Sequence, residues 1–320
     1  MGTGTRTSPV AYELKALTDI WTGDRSGNAS RLITTGLLGS VRWWFEVLVR
    51  GLGGSACDPT GYGCRDQKHC VACDLFGCTG WAREFRFDVL GADGHAPQDQ
   101  IKRGDKFQLV FTPLRPLRGE EWALLDATIR LIADYGAIGD RTVYKPSDEG
   151  NRQGASHHRD YGIVSVGQSA EIHSVGLEEL TAYVGDQRWR QGNHGGFAWA
   201  SLANFWCVSG RHLARLGANQ STFNRVIGRP EPKGNAGQDD SWLAGRRARQ
   251  KQQGKGEVPP ESKKVFSFKQ PARTFGFTGG NHVTLDAMKT KLRSAWHDLD
   301  DADVRTGDAI LKALLTGATP

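Results

Sequence analysis

Five of the six cysteines, Cys57, Cys64, Cys70, Cys73 and Cys78, fall within 22 residues that follow a strongly amphipathic helix. A segment so dense in thiols folds either through disulfides or around a metal. The spacing Cys57-x6-Cys64-x5-Cys70-x2-Cys73 sets a close CxxC pair against two further thiolates. That pattern predicts a four-sulfur tetrahedral site with structural zinc (Zn2+), and an iron–sulfur cluster as the lesser option. Such a site leaves no open position for water, so the metal is expected to hold the loop and do no chemistry. Cys78 is the spare member, and either it or His69 is an alternative to one of the four ligands. The competing reading is a loop of free or disulfide-paired thiols. Against it, the opening residues MGTGTRTSPVAYELK lack the apolar core of a secretory leader, and no run of about 18 apolar residues occurs. The expectation is a cytoplasmic chain with no membrane partner, whose thiols stay reduced. Cys207, within FAWASLANFWCVSG, reads as a buried small hydrophobe.

A chain of 320 residues exceeds what one core usually supports, so two domains are expected. From Val10 to Leu17, side chains alternate with a strand period. Thr34 and Thr35 offer N-cap hydroxyls to a helix whose Leu37, Leu38, Val41, Trp44, Phe45, Leu48 and Val49 form one stripe, with Glu46 placed to pair with Arg50. Gly51, Gly53 and Gly54 end it, and the cysteine loop begins. Phe85–Val89 and Phe107–Phe111 alternate around a turn-rich segment and read as two antiparallel strands. Glu120–Asp134 is a second helix with Gly136 as its C-cap, and Tyr161–Val166 a further strand. Strand, helix, two strands, helix, strand is the split βαβ order of ferredoxin-like, RNA-recognition-type domains.

The predicted fold is therefore α+β: two ferredoxin-like (RRM-like) domains, with a zinc-binding loop over about 55–80 inserted in the first. The expected domains are 1–170 and 171–320. In the second half, Leu177–Val184, Leu285–Trp296 and Ile310–Leu315 read as helices. Phe205–Val208, Val265–Phe268 and Thr274–Phe277 read as strands.

Net charge is +6, and Arg229–Arg273 carries 11 Lys and Arg against 5 Asp and Glu, so this one segment holds the whole excess. A basic, Gly- and Pro-rich stretch over about 229–264 suits phosphate backbones. Its bland counterpart is a solvated loop with no partner. Arg246, Arg247 and Arg249 are its densest cations. Arg42 and Trp43 point away from the first helix's stripe, where an exposed Arg beside an exposed Trp binds a phosphate and stacks a base. The alternative is that Trp43 packs under a neighbour and Arg42 pairs with Glu46. The turn Tyr135-Gly136-Ala137-Ile138-Gly139-Asp140-Arg141-Thr142 suits either an RNA clamp or a tight helix-to-strand turn. The adjacent His157 and His158 diverge if they lie on a strand, and Asp19, Asp24 and Arg25 fall in a polar loop. No Walker loop, GxSxG elbow or HExxH occurs.

The segments TTGLLGSVRWWFE, the cysteine loop and CDLFGCTGWAREFRF together resemble the RAMP superfamily. Within it they are similar to the first-numbered Cmr subunits of type III-B CRISPR effector complexes. Gly39, Arg42, Trp43, Trp44 and Phe45 match that family's glycine-rich helix entry, Leu75-Phe76-Gly77 its following motif, and Gly136, Gly139 and Arg141 its glycine-turn-arginine element. SWLAGRR and ESKKVFSFKQPARTFGF extend the likeness into the second half. The resemblance implies a non-catalytic RNA-binding subunit in antiviral defence. It caps the region of the guide 3′ end and helps to capture target RNA, beside backbone and capping RAMP proteins of the Cmr complex. Two other classes compete with it: a metal- or histidine-dependent RNA endonuclease of the same superfamily, and a protein-protein adaptor built on the Trp-rich second half.

Overall fold

A computed structural model describes residues 4–23, 30–57, 64, 68–139, 146–169, 175–191, 195–217, 219–229, 242–246 and 260–316. In chain order it runs β1 (Val10–Ala16), α1 (Thr34–Gly51), α2 (Val71–Phe76), β2 (Phe85–Gly91), β3 (Lys106–Pro113), α3 (Gly119–Asp134), β4 (Val164–Ser169) and α4 (Leu177–Gly185). There follow β5 (Phe205–Ser209), β6 (Arg215–Gly217), β7 (Gln220–Ser221), α5 (Thr222–Ile227), β8 (Val265–Lys269), β9 (Ala272–Phe277), α6 (Leu285–Arg293), β10 (Arg305–Thr306) and α7 (Gly307–Thr316). The fold is α+β with antiparallel strand pairs. None of the helices among the described residues is long and apolar enough to cross a membrane.

The chain divides into two compact units that interleave along the sequence. The first comprises residues 1–142, 161–205 and 306–320, and the second 143–160 and 206–305. Residue 170 thus lies inside the first unit, which also takes in α4 and α7.

In the first unit the sheet order is β2-β3-β1-β4. Alternation along β1 sends Val10, Tyr12, Leu14 and Ala16 into the core, each at 2% exposure or less. Tyr12 meets Phe111 edge-on, and Phe111, Phe85, Phe76 and Phe45 continue as a chain of ring contacts with centroids 5.0–5.3 Å apart. Phe76, from the Leu75-Phe76-Gly77 motif, therefore pins the end of the cysteine loop between α1 and the sheet. The start of α1 differs from expectation: its N-cap is Ile33 and no side chain caps it. Thr34 and Thr35 are already helical. The buried hydroxyl of Thr22 supplies the acceptor instead, taking the Ile33 N–H at 2.8 Å from eleven residues upstream. α3 begins as its acidic first turn predicts, with Glu121 accepting the Arg118 N–H at 2.7 Å.

The second unit orders its sheet β10-β5-β9-β8. Its core gathers Trp206, Val208, Leu213, Phe223, Val226, Ile227, Val265, Met288 and Leu292. β5 is buried along Phe205–Val208, which explains why it reads as a continuous apolar run rather than an alternating one.

Candidate metal centre and nucleic-acid interface

The four cysteines of the predicted site come together. The Sγ atoms of Cys57, Cys64, Cys70 and Cys73 all lie within 4.8 Å of one another, and all four residues are buried. The shortest resolved approach is Cys57 to Cys73 at 3.2 Å. A tetrahedron with Zn–S bonds of about 2.3 Å has S···S edges of about 3.8 Å, so the set has the dimensions as well as the chemistry for zinc. Cys70 is the N-cap of the short helix α2 and Cys73 lies in its first turn. This is how a CxxC spacing turns two sulfurs toward one point.

The two alternative ligands are occupied elsewhere. Cys78 donates its thiol to the Cys64 carbonyl at 3.0 Å, and the His69 ring lies against Trp81 with centroids 4.5 Å apart. Hydrogen bonding among the sulfurs shifts all four thiols: Cys57 lowers Cys64 to about 7 and is the chief cause that lowers Cys70, while Cys57 is raised chiefly by Cys64 and Cys73 chiefly by Cys57. A four-sulfur zinc site holds all four as thiolates, so a metal bound here would release the protons of Cys57 and Cys73 as well.

Of the two readings of Arg42, the pair with Glu46 is the one observed, and the outward-pointing RNA contact is corrected. Its guanidinium is committed inward, donating to Glu46 Oε1 at 2.9 Å, to the Gly77 carbonyl at 2.6 Å and to Cys73 Sγ at 3.2 Å. Burial works against this charge, but Glu46 and Cys73 outweigh it and hold the Arg42 pKa above its ordinary value. Glu46 also bonds Arg50, whose Nη1 and Nη2 reach the carbonyls of Ala200 and Ala56. Burial raises the Glu46 pKa despite both arginines. The predicted Glu46–Arg50 helix pair is thus the middle of a buried array joining α1 to both ends of the cysteine loop. Removing either partner of such a pair strands a buried charge.

The glycine turn after α3 packs on the first turns of α1. Trp44 Nε1 donates to the Ala137 carbonyl at 2.8 Å, and the Gly139 N–H donates to Ser40 Oγ at 3.0 Å. The C-cap of α3 is Tyr135 rather than Gly136, whose φ is not positive. Gly136 is needed for contact: a Cβ there meets three ring atoms of Trp44 at 2.5–2.9 Å. Gly139 does have a positive φ, +106°. Gly39 stands exposed on α1 with nothing within 4 Å of a Cβ, and Trp43 is half-buried with its ring edge-on to Trp44 at 4.8 Å. The structure therefore gathers Gly39, Trp43, Gly136 and Gly139 into one neighbourhood. Arg141 lies outside the described residues.

Of the basic loop, Arg247 and Arg249 also lie outside the described residues. Arg246 exchanges backbone hydrogen bonds with Glu261 at 3.0 and 2.9 Å, closing the base of the loop. Lys264, which the sequence places among the solvated cations, is fully buried. Its ammonium donates to Glu261 and the Ser262 carbonyl and sits 4.8 Å from the Trp242 ring centroid. Loop cations are legible from composition, but one that anchors the loop is not.

The carboxylates and histidines that an endonuclease reading would draw on are Asp19, Asp24, His157 and His158. Asp19 accepts the Arg103 N–H at 2.9 Å, and Asp24 lies outside the described residues. His157 and His158 sit on a 3-10 turn, not a strand, and their rings lie 4.1 Å apart instead of diverging. Burial and then His158 lower the His157 pKa. A second array has no signature in the sequence: Arg115 reaches Glu121 at 2.8 Å, and Asp74 and Glu84 at 3.3 Å each, tying α2 to α3 and β2.

Sheet, helix entry and glycine turn coincide with a family match: residues 13–144 match the RAMP superfamily. The resemblance drawn from the motifs is borne out over that span, which contains α1, the four cysteines and the glycine turn. Among solved structures, the apo form of Cmr1 from Pyrococcus furiosus is similar at TM-score 0.40 and 11% identity, covering 98% of this chain and 97% of that one. The Csm3-Csm4 subcomplex of the type III-A CRISPR-Cas interference complex is similar at TM-score 0.26 and 16% identity, covering 53% of this chain and 78% of that one. No curated protein matches the chain in sequence.

Proposed function

We propose that this protein is a non-catalytic RNA-binding subunit of a type III-B CRISPR effector complex. In this reading it caps the region of the guide 3′ end, helps to capture target RNA and docks against backbone and capping RAMP subunits. The observation that carries the reading is the RAMP match over 13–144, because it spans the two elements, the α1 entry and the glycine turn, that pack together through Trp44 and Ser40. Gly39, Trp43, Gly136, Gly139 and Arg141 form the first proposed RNA surface, and Arg246, Arg247 and Arg249 the second. Arg42 braces the metal loop beneath the first surface. Two ferredoxin-like domains are also part of the reading. Renumbered within each unit, the strand orders β2-β3-β1-β4 and β10-β5-β9-β8 are the same 4-1-3-2 arrangement, and each unit has its helices after the first and third of those strands.

Zinc on Cys57, Cys64, Cys70 and Cys73 is structural in this account. The chain's own residues bind and position RNA and carry out no bond cleavage. The test is binding of labelled single-stranded RNA across salt concentrations. Four phosphate contacts predict a weakening of about 50-fold between 50 and 200 mM salt. Affinity that does not move with salt, or RNA cleavage abolished by alanine at Asp19, His157 or His158, overturns the proposal.

A further inference from the structure

Outside both proposed surfaces, the turn after α2 carries an aromatic side chain that is held open to solvent rather than packed. Trp81 is 41% exposed. One side of its ring lies against His69, itself 8% exposed, at 4.5 Å and 30°. Its Nε1 donates to the Asp74 carbonyl at 3.3 Å, which fixes the ring's rotation. The backbone beneath is closed by paired hydrogen bonds between Cys78 and Trp81 at 3.0 and 2.9 Å. Gly77 tightens the same turn, since a Cβ there meets the Trp81 carbonyl and the Arg83 N–H at 2.9 Å. An exposed aromatic normally gains little from being immobilised, yet here ring packing, a side-chain hydrogen bond and a closed turn all hold it.

Two cations stand close to it in sequence. Lys68 and Arg83 flank His69 and Trp81 in sequence, and neither makes an ion pair among the described residues. The neighbouring carboxylates Asp74 and Glu84 each pair with Arg115 at 3.3 Å, which also pairs with Glu121. A fixed aromatic face with cationic side chains close by in the chain is an arrangement that stacks a base while holding its phosphate.

We infer that Trp81, backed by His69 and flanked by Lys68 and Arg83, is a stacking platform for one unpaired nucleobase of single-stranded RNA. The inference deepens the RNA-binding reading above and rests on it. Stacking is sequence-tolerant, because every base offers a π face. The metal loop thereby gains a second task, since the turn that carries Trp81 is built on α2, which positions Cys73.

The test compares full-length wild type, Trp81→Ala and Trp81→Phe by fluorescence anisotropy with a single-stranded RNA. A matched series of the same RNA carries one abasic residue stepped along its length. Equal zinc content and equal near-UV circular dichroism certify that the variants are folded. Trp81→Ala is expected to weaken binding of intact RNA about tenfold, with Trp81→Phe retaining most of the affinity. Against the one RNA whose abasic position falls on the platform, wild type and Trp81→Ala bind alike. Unchanged affinity of Trp81→Ala for intact RNA overturns the inference while leaving the RNA-binding reading intact, and so does an equal weakening on every abasic RNA. If Trp81→Ala instead releases a Cas subunit from the assembled complex without affecting RNA, Trp81 is a protein contact and the inference fails. A wild type that binds no RNA fails both.

Discussion

Gly136→Ala is the sharpest probe of the contact between the glycine turn and α1. The new methyl carbon meets Trp44 Cζ2 at 2.5 Å and Cε2 and Cη2 at 2.9 Å, about 1 Å inside ordinary carbon contact. Relief requires the indole to move, and the indole is held. Trp44 is 2% exposed, bonded through Nε1 to Ala137, and bounded by the rings of Phe205 at 5.8 Å and Trp43 at 4.8 Å. Overpacking of one methyl costs about 1–3 kcal/mol, and breaking the buried Nε1 hydrogen bond adds about 1–3 kcal/mol. The stiffer unfolded chain returns about 0.4–1 kcal/mol. The net expectation is a destabilisation of about 3 kcal/mol, or a fall in Tm of about 6–12 °C.

Gly39→Ala is the internal control, because that glycine is itself exposed within the helix and has open space at its Cβ. There alanine stabilises by about 0.5–1 kcal/mol through helix propensity alone. Urea denaturation followed by circular dichroism reads both. A Gly136→Ala protein within about 0.5 kcal/mol of wild type, the usual scatter of an inconsequential substitution, refutes the packing argument. A destabilised Gly39→Ala refutes the placement of that residue. If Gly39 lets RNA approach the backbone, Gly39→Ala lowers RNA affinity while raising stability, a pair of opposite signs that general damage does not produce.

Strong chelation, or Cys73→Ser, is expected to lower the melting temperature of the folded chain and to release one zinc per molecule by mass spectrometry. Structural thiolate sites stabilise by roughly 10 kcal/mol, and a protein that melts identically with and without chelator contradicts the staple. Arg115→Ala leaves Glu121, 1% exposed, with only the Arg118 N–H and the Tyr183 hydroxyl. A destabilisation of about 2–4 kcal/mol is expected by chemical denaturation, and one below about 0.5 kcal/mol shows the array to be incidental. Charge reversal at Arg246, Arg247 and Arg249 together is expected to weaken RNA binding and flatten its salt dependence by about 0.7 for each phosphate no longer engaged. An unaltered slope removes the basic loop from the interface.

What the sequence makes legible follows from how local each signal is. Period-2 alternation at Val10–Ala16 and the helical spacing of apolar residues in α1 are set by neighbouring residues, and both elements stand where their patterns place them. The CxxC spacing likewise encodes its own geometry. The Arg42–Glu46 pair is legible at i,i+4, but its contacts with Cys73 and Gly77 are not, because those residues are 31 and 35 positions away. Thr22, the acceptor at the start of α1, is hidden for the same reason. α5 and β10 are too short to show a period, which conceals the repeated strand order of the second unit. The described base of the basic loop turns on Lys264, whose burial depends on a Trp242 ring that no charge count registers.

The interleaving of the two units bears on how the chain is made. α7 packs on α3 and on the 202–204 turn, with Ile310, Leu311 and Leu314 buried, yet the whole of 206–305 is translated before it. At about 5–20 residues per second, the ribosome takes roughly 5–20 s to pass that stretch. Throughout that interval the first unit waits with the seat of α7 uncovered, and the second unit is complete once Arg305 has emerged, just ahead of α7. Synthesis therefore favours a nascent chain whose middle is finished before its beginning, and an assembly partner or chaperone that shields α3 in the meantime has a window of seconds in which to act.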